Sequence, residues 1–338
     1  KQQWLNAIRE EGSQAGTGGS DVTWLAVQIG PVGVHASSSA RAVNNISPGV
    51  AQLVLFGNTD EQGNPEAIDL AGSSLDVNAY STVGVSFGLP FTLGDGASRL
   101  AIGATAKYTM GHLLALGQES TGTTTTAPIG VNFSFPIVHT PLGGEDEPFE
   151  VNSGTGIGLD IGVGYESGAL RLGAAVQNVV NTFAWDESLL RYRAATMSLA
   201  QSDYTTDFAS QPVASAPAAL RAAVTDMKFK PSFAVGAALR QSENLSIAAD
   251  ARFGSAAGMN TRPPTHIGAG VEYVVGGFLP VRVGAAFVKL DAENSGLQYG
   301  AGIGLRLSAI NLSASVGQRS TDIGKDTMLM VSVVSIGM

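Results

Sequence analysis

The sequence predicts an all-β chain, a single transmembrane antiparallel β-barrel of about 14 strands with an N-terminal helix and a plug. Three observations predict it. The last third alternates apolar with small or polar residues: Leu245, Ile247, Ala249, Ala251 and Phe253 interleave with Ser246, Ala248, Asp250 and Arg252, and the rhythm returns from Ile267, Val281 and Leu297. A period of two is that of a strand with one apolar and one polar face. Connections between these runs are alternately short and long, as in outer-membrane barrels. Finally, hydrophobic residues make up 44% and charged residues only 14% of 338, against about 25% charged in soluble proteins. No apolar run reaches the roughly 20 residues of a membrane helix, so the apolar material belongs on a lipid-facing sheet.

The elements follow in order. Trp4, Leu5 and Ile8 lie at helical spacing within Gln2 to Arg9 and predict a short amphipathic helix. Gly12 to Ser20 reads as a flexible connection, so residues 1–20 precede a barrel covering 21–338. Strands are expected near Asp21–Ile29 and Val32–Arg41 across the Gly30-Pro31 turn. Between 43 and 74 the alternation breaks, and Pro48 after Ser47 suits the first position of a helix. Leu53, Val54, Leu55 and Phe56 there need burial, which predicts a plug in or under the barrel mouth.

Strands resume near Val77–Leu89, Arg99–Gly111, Ile129–Phe135, Gly156–Glu166 and Leu170–Asn178. The stretch 179–226 reads as a long extracellular loop with helical patterns near Glu187–Leu199 and Ala218–Val224. Seven more strands run from Pro231 to Gly337. If the chain ends on the periplasmic side, Ser308-Ala309, Gly276–Pro280, Gln241–Asn244 and Ser167-Gly168 are the short periplasmic turns. On this count the long 43–74 connection also falls on that side and breaks the rule.

Pro231-Ser-Phe-Ala-Val-Gly-Ala-Ala-Leu-Arg240, followed by Glu243-Asn-Leu-Ser-Ile-Ala-Ala-Asp250, resembles the FadL-like outer-membrane proteins, a Pro opening a Gly-bearing strand before a tight turn. His266-Ile-Gly-Ala-Gly-Val-Glu272 with Leu279-Pro-Val-Arg-Val-Gly284 is similar to the next hairpin of that family, and Ala101-Ile-Gly-Ala-Thr-Ala-Lys-Tyr108 to an early strand of its PorV-type relatives. The resemblance implies a monomeric barrel of roughly 14 strands occluded by an N-terminal segment. It also implies transport of fatty acids or hydrocarbons, as in the FadL and TodX transporters, or partner-protein binding in secretion and attachment, as in PorV. The chain departs from the usual aromatic terminal residue by ending on Met338.

Most soluble chemistries are excluded. There is no cysteine, so no disulfide framework or thiol nucleophile is expected. A net charge of −9 argues against nucleic acid as a partner. His35, His112, His139 and His266 show no metal-ligand spacing, and neither a metal nor another cofactor is expected. Gly154-Thr-Gly156-Ile-Gly158 and Gly300-Ala-Gly302-Ile-Gly304 lie inside strand alternation, where a nucleotide loop would join strand to helix. The 43 glycines, many on the polar phase, either leave room inside or relieve curvature. No nucleophile elbow is present, so the chain is not read as an enzyme. Lys1-Gln-Gln-Trp4 lacks the charged and apolar regions of a signal peptide.

Arg240, Asp250, Arg252, Glu272, Arg282 and Arg306 occupy the inward phase, and Glu272 and Arg282 should pair across one turn. They form either a charge network that holds the wall or a conduction path. Leu189, Leu190, Tyr192 and Met197 are candidates for an apolar entry surface, or else pack the long loop onto the rim. The acidic run Glu145-Asp-Glu147 with Glu150 reads as a solvated face. The expectation is therefore a bacterial outer-membrane barrel, in contact with lipid, that takes up hydrophobic small molecules. A PorV-like barrel with a protein partner at its extracellular loops is the alternative, and a general diffusion porin the second.

Overall fold

Strand alternation settles which side chains face which way, and the backbone follows it closely. The computed structural model describes the chain except residues 58–63, 65, 95, 120, 127–128, 142, 144–147, 149, 201–202, 256–257, 260–264, 290–294, 308–309, 322–323 and 336–338. A helix α1 (Gln2–Glu11) precedes β1 (Gln14–Ile29) and β2 (Val32–Ile46), and α2 (Pro48–Phe56) precedes β3 (Ser74–Leu93) and β4 (Ser98–Gln118). Short strands follow: β5 (Thr121–Thr126), β6 (Ile129–Ser134) and β7 (Ile137–His139). After β8 (Gly154–Ser167) and β9 (Leu170–Asn181) come β10 (Ala184–Trp185), β11 (Arg191–Arg193), β12 (Thr196–Ala200), β13 (Asp203–Asp207), β14 (Gln211–Pro212) and α3 (Ala218–Asp226). The chain continues with β15 (Ser232–Arg240), β16 (Leu245–Phe253), β17 (Thr265–Val275), β18 (Leu279–Lys289), β19 (Ser295–Arg306), β20 (Ile310–Thr321) and β21 (Gly324–Ser335).

The wall is an antiparallel run in which β1 to β4, β8, β9 and β15 to β21 each pair with the next. That makes 13 wall strands among the described residues, with the first and last unpaired to each other. The expected strand at Ile129–Phe135 is not one of them. Its residues form β6 in a separate four-stranded sheet of order β13-β12-β6-β5. Removing it from the wall also moves the 43–74 connection to the other side of the barrel. All the long connections, 47–73, 119–153, 182–231 and 254–264, now share one end, and turns such as Gly30-Pro31 and Gly168-Ala169 share the other. Gly168 sits at φ 55°, in the left-handed region a two-residue turn demands.

The outward phase carries the apolar band. Val83, Val85, Phe87, Leu89, Phe91 and Leu93 on β3 are all exposed. Eleven residues at about 3.3 Å each, tilted about 40°, cover about 28 Å, close to the apolar height of a membrane barrel of about 25 Å. Aromatics rim the band. Trp24, Tyr108, Phe233, Phe253, Phe287 and Tyr299 lie toward the long loops, and Phe91, Tyr273 and Phe278 toward the short turns, all exposed. No described helix is long and apolar enough to cross a membrane.

β3 and β4 run on past the band, and a bulge changes their chemistry. The β3–β4 register shifts at Ala79/Tyr80, so that Tyr80 faces Gly111 but Ala79 faces Leu113. His112 is the extra residue, and its ring bridges Ser81 Oγ at 2.8 Å and the Val151 carbonyl at 2.5 Å. The bulge flips the phase. Before it, Thr105, Lys107 and Thr109 point inward; after it, Leu114 and Leu116 do, and both are buried.

Those two leucines seed the main hydrophobic core, a cap at the long-loop end. Val138, Phe183, Trp185, Leu190, Tyr192, Val213, Leu220, Val224, Met227 and Met259 complete it. The helical pattern expected at Glu187–Leu199 is not realised. Arg191–Arg193 pairs with β7 and β14, and Thr196–Ala200 with β6 and β13, so tertiary pairing overrides the local spacing. A smaller core joins α1 and α2 through Leu5, Ile8 and Ala51, reinforced by Arg9 to Gln52 Oε1 at 2.8 Å.

Glu119 leaves β4 buried at the foot of this cap, at 4% exposure. Burial holds its carboxyl above the ordinary glutamate range, and hydrogen bonding to Ser73 pulls it back only in part. The folded state therefore binds its proton more tightly than the unfolded state. Stability from this group falls as pH rises from about the unfolded value through the raised folded one, then stays flat. Glu119→Gln is expected to raise the urea midpoint in detergent at neutral pH and to leave it unchanged at acid pH, below the unfolded value.

Candidate functional site

Inward-facing residues line a chamber. At the short-turn half, glycines and alanines of β2, β3, β4, β8, β9 and β15, among them Gly33, Gly88, Gly103, Gly162, Gly173 and Gly236, line an open space of about 900 Å³. Above it lies a second cavity of about 480 Å³, and His35, Ser86, Thr105, Asp160 and Gln177 border both. The upper walls are hydroxyls paired across strands, Thr82 with Thr109 at 3.0 Å and Ser86 with Thr105 at 2.8 Å. His35 packs over Gly84, where a Cβ would meet the imidazole ring at 2.1 Å, so a larger residue there would have to displace the ring.

A charged knot crosses the chamber wall. Lys107 Nζ reaches Asp160 Oδ1 at 2.7 Å and Asn178 Oδ1 at 2.8 Å, while the Asn178 backbone N–H donates to Asp160 Oδ1 at 2.7 Å. Leu159 pairs with Val180 but Ile161 pairs with Val176, so several β9 residues face Asp160 alone. Asn178 takes φ 55° within this bulge, a conformation that asparagine tolerates and that concentrates at functional sites.

The cap roofs the chamber with aromatic rings. Tyr80 and Phe229 line the upper cavity, edge to face at 4.8 Å. Phe183 packs edge to face against Phe229 and Trp185, each at 5.4 Å. Gly156 explains how the post-β9 segment comes so close: a Cβ there would lie 2.2 Å from the Phe183 Cα. The inner-phase glycines of β8 thus make room for an inserted segment.

The six inward charges predicted from the sequence separate into different groups. Glu272 faces Arg282 in register, and it accepts Arg282 Nε at 2.7 Å and Arg306 at 2.7 Å. Because the Arg306 N–H also donates to the Phe278 carbonyl, this hub sits at the short-turn mouth. Asp250 lies 3.3 Å from His266 Nε2. Arg252 borders the upper chamber, and Arg240 is an exposed residue at the β15 end. Glu272→Gln should lower stability by about 1 kcal/mol in urea titrations, because both arginines are more than a third exposed.

The remaining candidates lie elsewhere. Leu190 and Tyr192 are buried in the cap core, Leu189 is half-buried beside them, and Met197 faces the separate sheet on β12. Leu53, Leu55 and Phe56 are half-buried on α2, which packs on α1, and Val54 is 77% exposed. Glu145 to Glu147 lie outside the described residues. Sequence reasoning passed over Lys107, Asp160 and Asn178. A lysine and an aspartate on the inward phase of two neighbouring glycine-rich strands were the available signal.

A family of unknown function, DUF5723, matches residues 26–179. No curated protein matches the chain. Among solved structures, it is similar to the CymD monoaromatic hydrocarbon channel, at 11% identity and a TM-score of 0.48, covering 98% of this chain and 89% of that one. It is also similar to the Ralstonia pickettii toluene transporter TbuX, at 12% identity and a TM-score of 0.46, covering 92% and 78%. A mutant Rh. blastica porin matches with a TM-score of 0.27 at 12% identity, covering 77% and 92%.

Proposed function

We propose that the protein is an outer-membrane barrel that admits small organic molecules with an apolar, aromatic body and a polar end. One observation carries the reading: the edge-to-face rings of Tyr80 and Phe229 line a cavity of about 480 Å³ together with hydroxyls and the Lys107–Asp160–Asn178 knot. A ring would stack edge to face under the roof, and its polar end would meet donors and acceptors already held in place. The hydrophobic-molecule reading is kept, but with a polar anchor, because the apolar residues of 179–226 are spent inside the cap core rather than along the lumen. Crystals grown with 4-bromobenzyl alcohol test it. Anomalous bromine density beneath Tyr80 and Phe229 is expected; bromine found only on the lipid-facing band would remove the reading.

A partner-binding barrel is the second reading. Tyr204 and Phe208, 64% and 51% exposed, sit on and beside the four-stranded sheet at the long-loop end, where a protein partner would dock.

A further inference from the structure

The two cavities meet at a polar belt. His35, Ser86, Thr105, Asp160 and Gln177 border both, and they come from β2, β3, β4, β8 and β9, five consecutive strands of the wall. Register makes the belt continuous. Thr105 faces Ser86 on one side and Asp160 on the other, and Gln177 faces Ser232 on β15. Ser232 Oγ donates to Gln177 Oε1 at 3.2 Å. Below the belt the lining turns to glycine and alanine, and above it stand the rings of Tyr80 and Phe229.

Charge in this space cancels. Among the described residues that line the two cavities, the carboxylates are Asp21 and Asp160, the lysine and arginine cations are Lys107 and Arg252, and His35 is the one imidazole. Asp160 holds Lys107 at 2.7 Å, and their side chains are 20% and 15% exposed. A carboxylate that reaches Lys107 meets Asp160 beside it, and an ammonium that reaches Asp160 meets Lys107. Either ion would give up hydration there without gaining an uncompensated counter-charge, which is costly. A neutral group that both donates and accepts loses far less. The Thr82–Thr109 and Ser86–Thr105 hydroxyl pairs can each run in either direction, so each keeps one O–H hydrogen and further lone pairs available. Lys107 spends two of its three N–H donors on Asp160 and Asn178. Such a wall can donate to and accept from the same ligand group, whereas a carboxylate only accepts and an ammonium only donates.

We infer that the site selects an uncharged polar end, the hydroxyl of an aromatic alcohol or the amide of an aromatic amide, and discriminates against aromatic acids and amines. The Lys107–Asp160 pair sets that choice. This selectivity rests on the chamber being a site for aromatic molecules with a polar end, and it names which polar ends are taken.

Calorimetric titration of the full chain in detergent, against detergent-matched blanks, tests it at about pH 8, where an imidazole is uncharged and an alkyl amine is still a cation. Benzyl alcohol and benzamide should bind, and benzoate and benzylammonium should bind at least about tenfold more weakly. Asp160→Asn leaves the Lys107 charge uncompensated, and should tighten benzoate at least about tenfold while weakening benzylammonium further. Lys107→Met should do the reverse, and the double variant should tighten neither ion. A merely structural role for the pair would move both ions alike. Benzoate or benzylammonium binding the parent as tightly as benzyl alcohol would overturn the inference while leaving the chamber an aromatic site. So would single variants that do not move the two ions in opposite directions. Binding of none of the four compounds would remove the reading of the chamber itself, and this inference with it.

Discussion

Replacing Gly156 with valine is expected to unseat the roof of the chamber. The new Cβ would fall 2.2 Å from the Phe183 Cα and 2.3 Å from its nitrogen, and backbone atoms cannot swing aside as a side chain can. Overpacking of this kind costs about 3 kcal/mol, which is about two orders of magnitude in the ratio of roofed to unroofed molecules. The wall itself should survive, because Gly156 is flanked by wall pairs to β4 on one side and faces the inserted segment on the other. In planar bilayers the variant should therefore carry steady open-channel current that the parent lacks, while heat-modifiable migration in detergent stays unchanged. Equal currents from both proteins would show that the cap does not close the lumen.

Asp160→Asn should have the second largest effect. Asp160 holds Lys107 and also accepts the Asn178 N–H that fixes the β9 bulge. The Lys107 and Asp160 side chains are only 15% and 20% exposed, so removing the carboxylate strands an ammonium at the chamber wall. Breaking such a pair from one side costs about 3 kcal/mol. A urea midpoint lowered in Asp160→Asn, and largely restored when Lys107→Met is added, is the expected pattern. A double variant as unstable as the single one would place the cost in the bulge rather than in the charge pair.

Much of the wall was legible because a period of two admits few other structures. The turn between Glu272 and Arg282 and the register that brings them together could be counted directly from the chain. What misled was chemistry that alternation does not encode. Ile129–Phe135 alternates well enough for a wall strand, yet it pairs with Thr121–Thr126 and Thr196–Ala200 outside the barrel. One misplaced strand was enough to reverse the side assigned to the 43–74 connection. The stretch Glu187–Leu199 spaces its apolar residues as a helix would, but Leu190 and Tyr192 are drawn into a core built by Leu114 and Leu116 from β4. That core depends on the bulge at His112, which exchanges polar for apolar residues on the inward phase. The chamber itself was hidden for a related reason: Lys107, Asp160 and Asn178 are far apart in sequence and meet only across β4, β8 and β9.

The central claim, a chamber with an aromatic roof and a polar wall, is tested most directly by fluorescence of Trp185 in the roof. Trp4→Phe with Trp24→Phe leaves it as the sole indole of the chain. Titrated with benzyl alcohol, toluene and glycerol in matched detergent, the protein should show a saturable change with benzyl alcohol. Toluene should bind at least about tenfold more weakly, the equivalent of about 1.4 kcal/mol lost with the polar anchor, and glycerol should give no response. Lys107→Met should bring benzyl alcohol down to the level of toluene. Tighter binding of toluene than of benzyl alcohol, unaffected by Lys107→Met, would contradict the account.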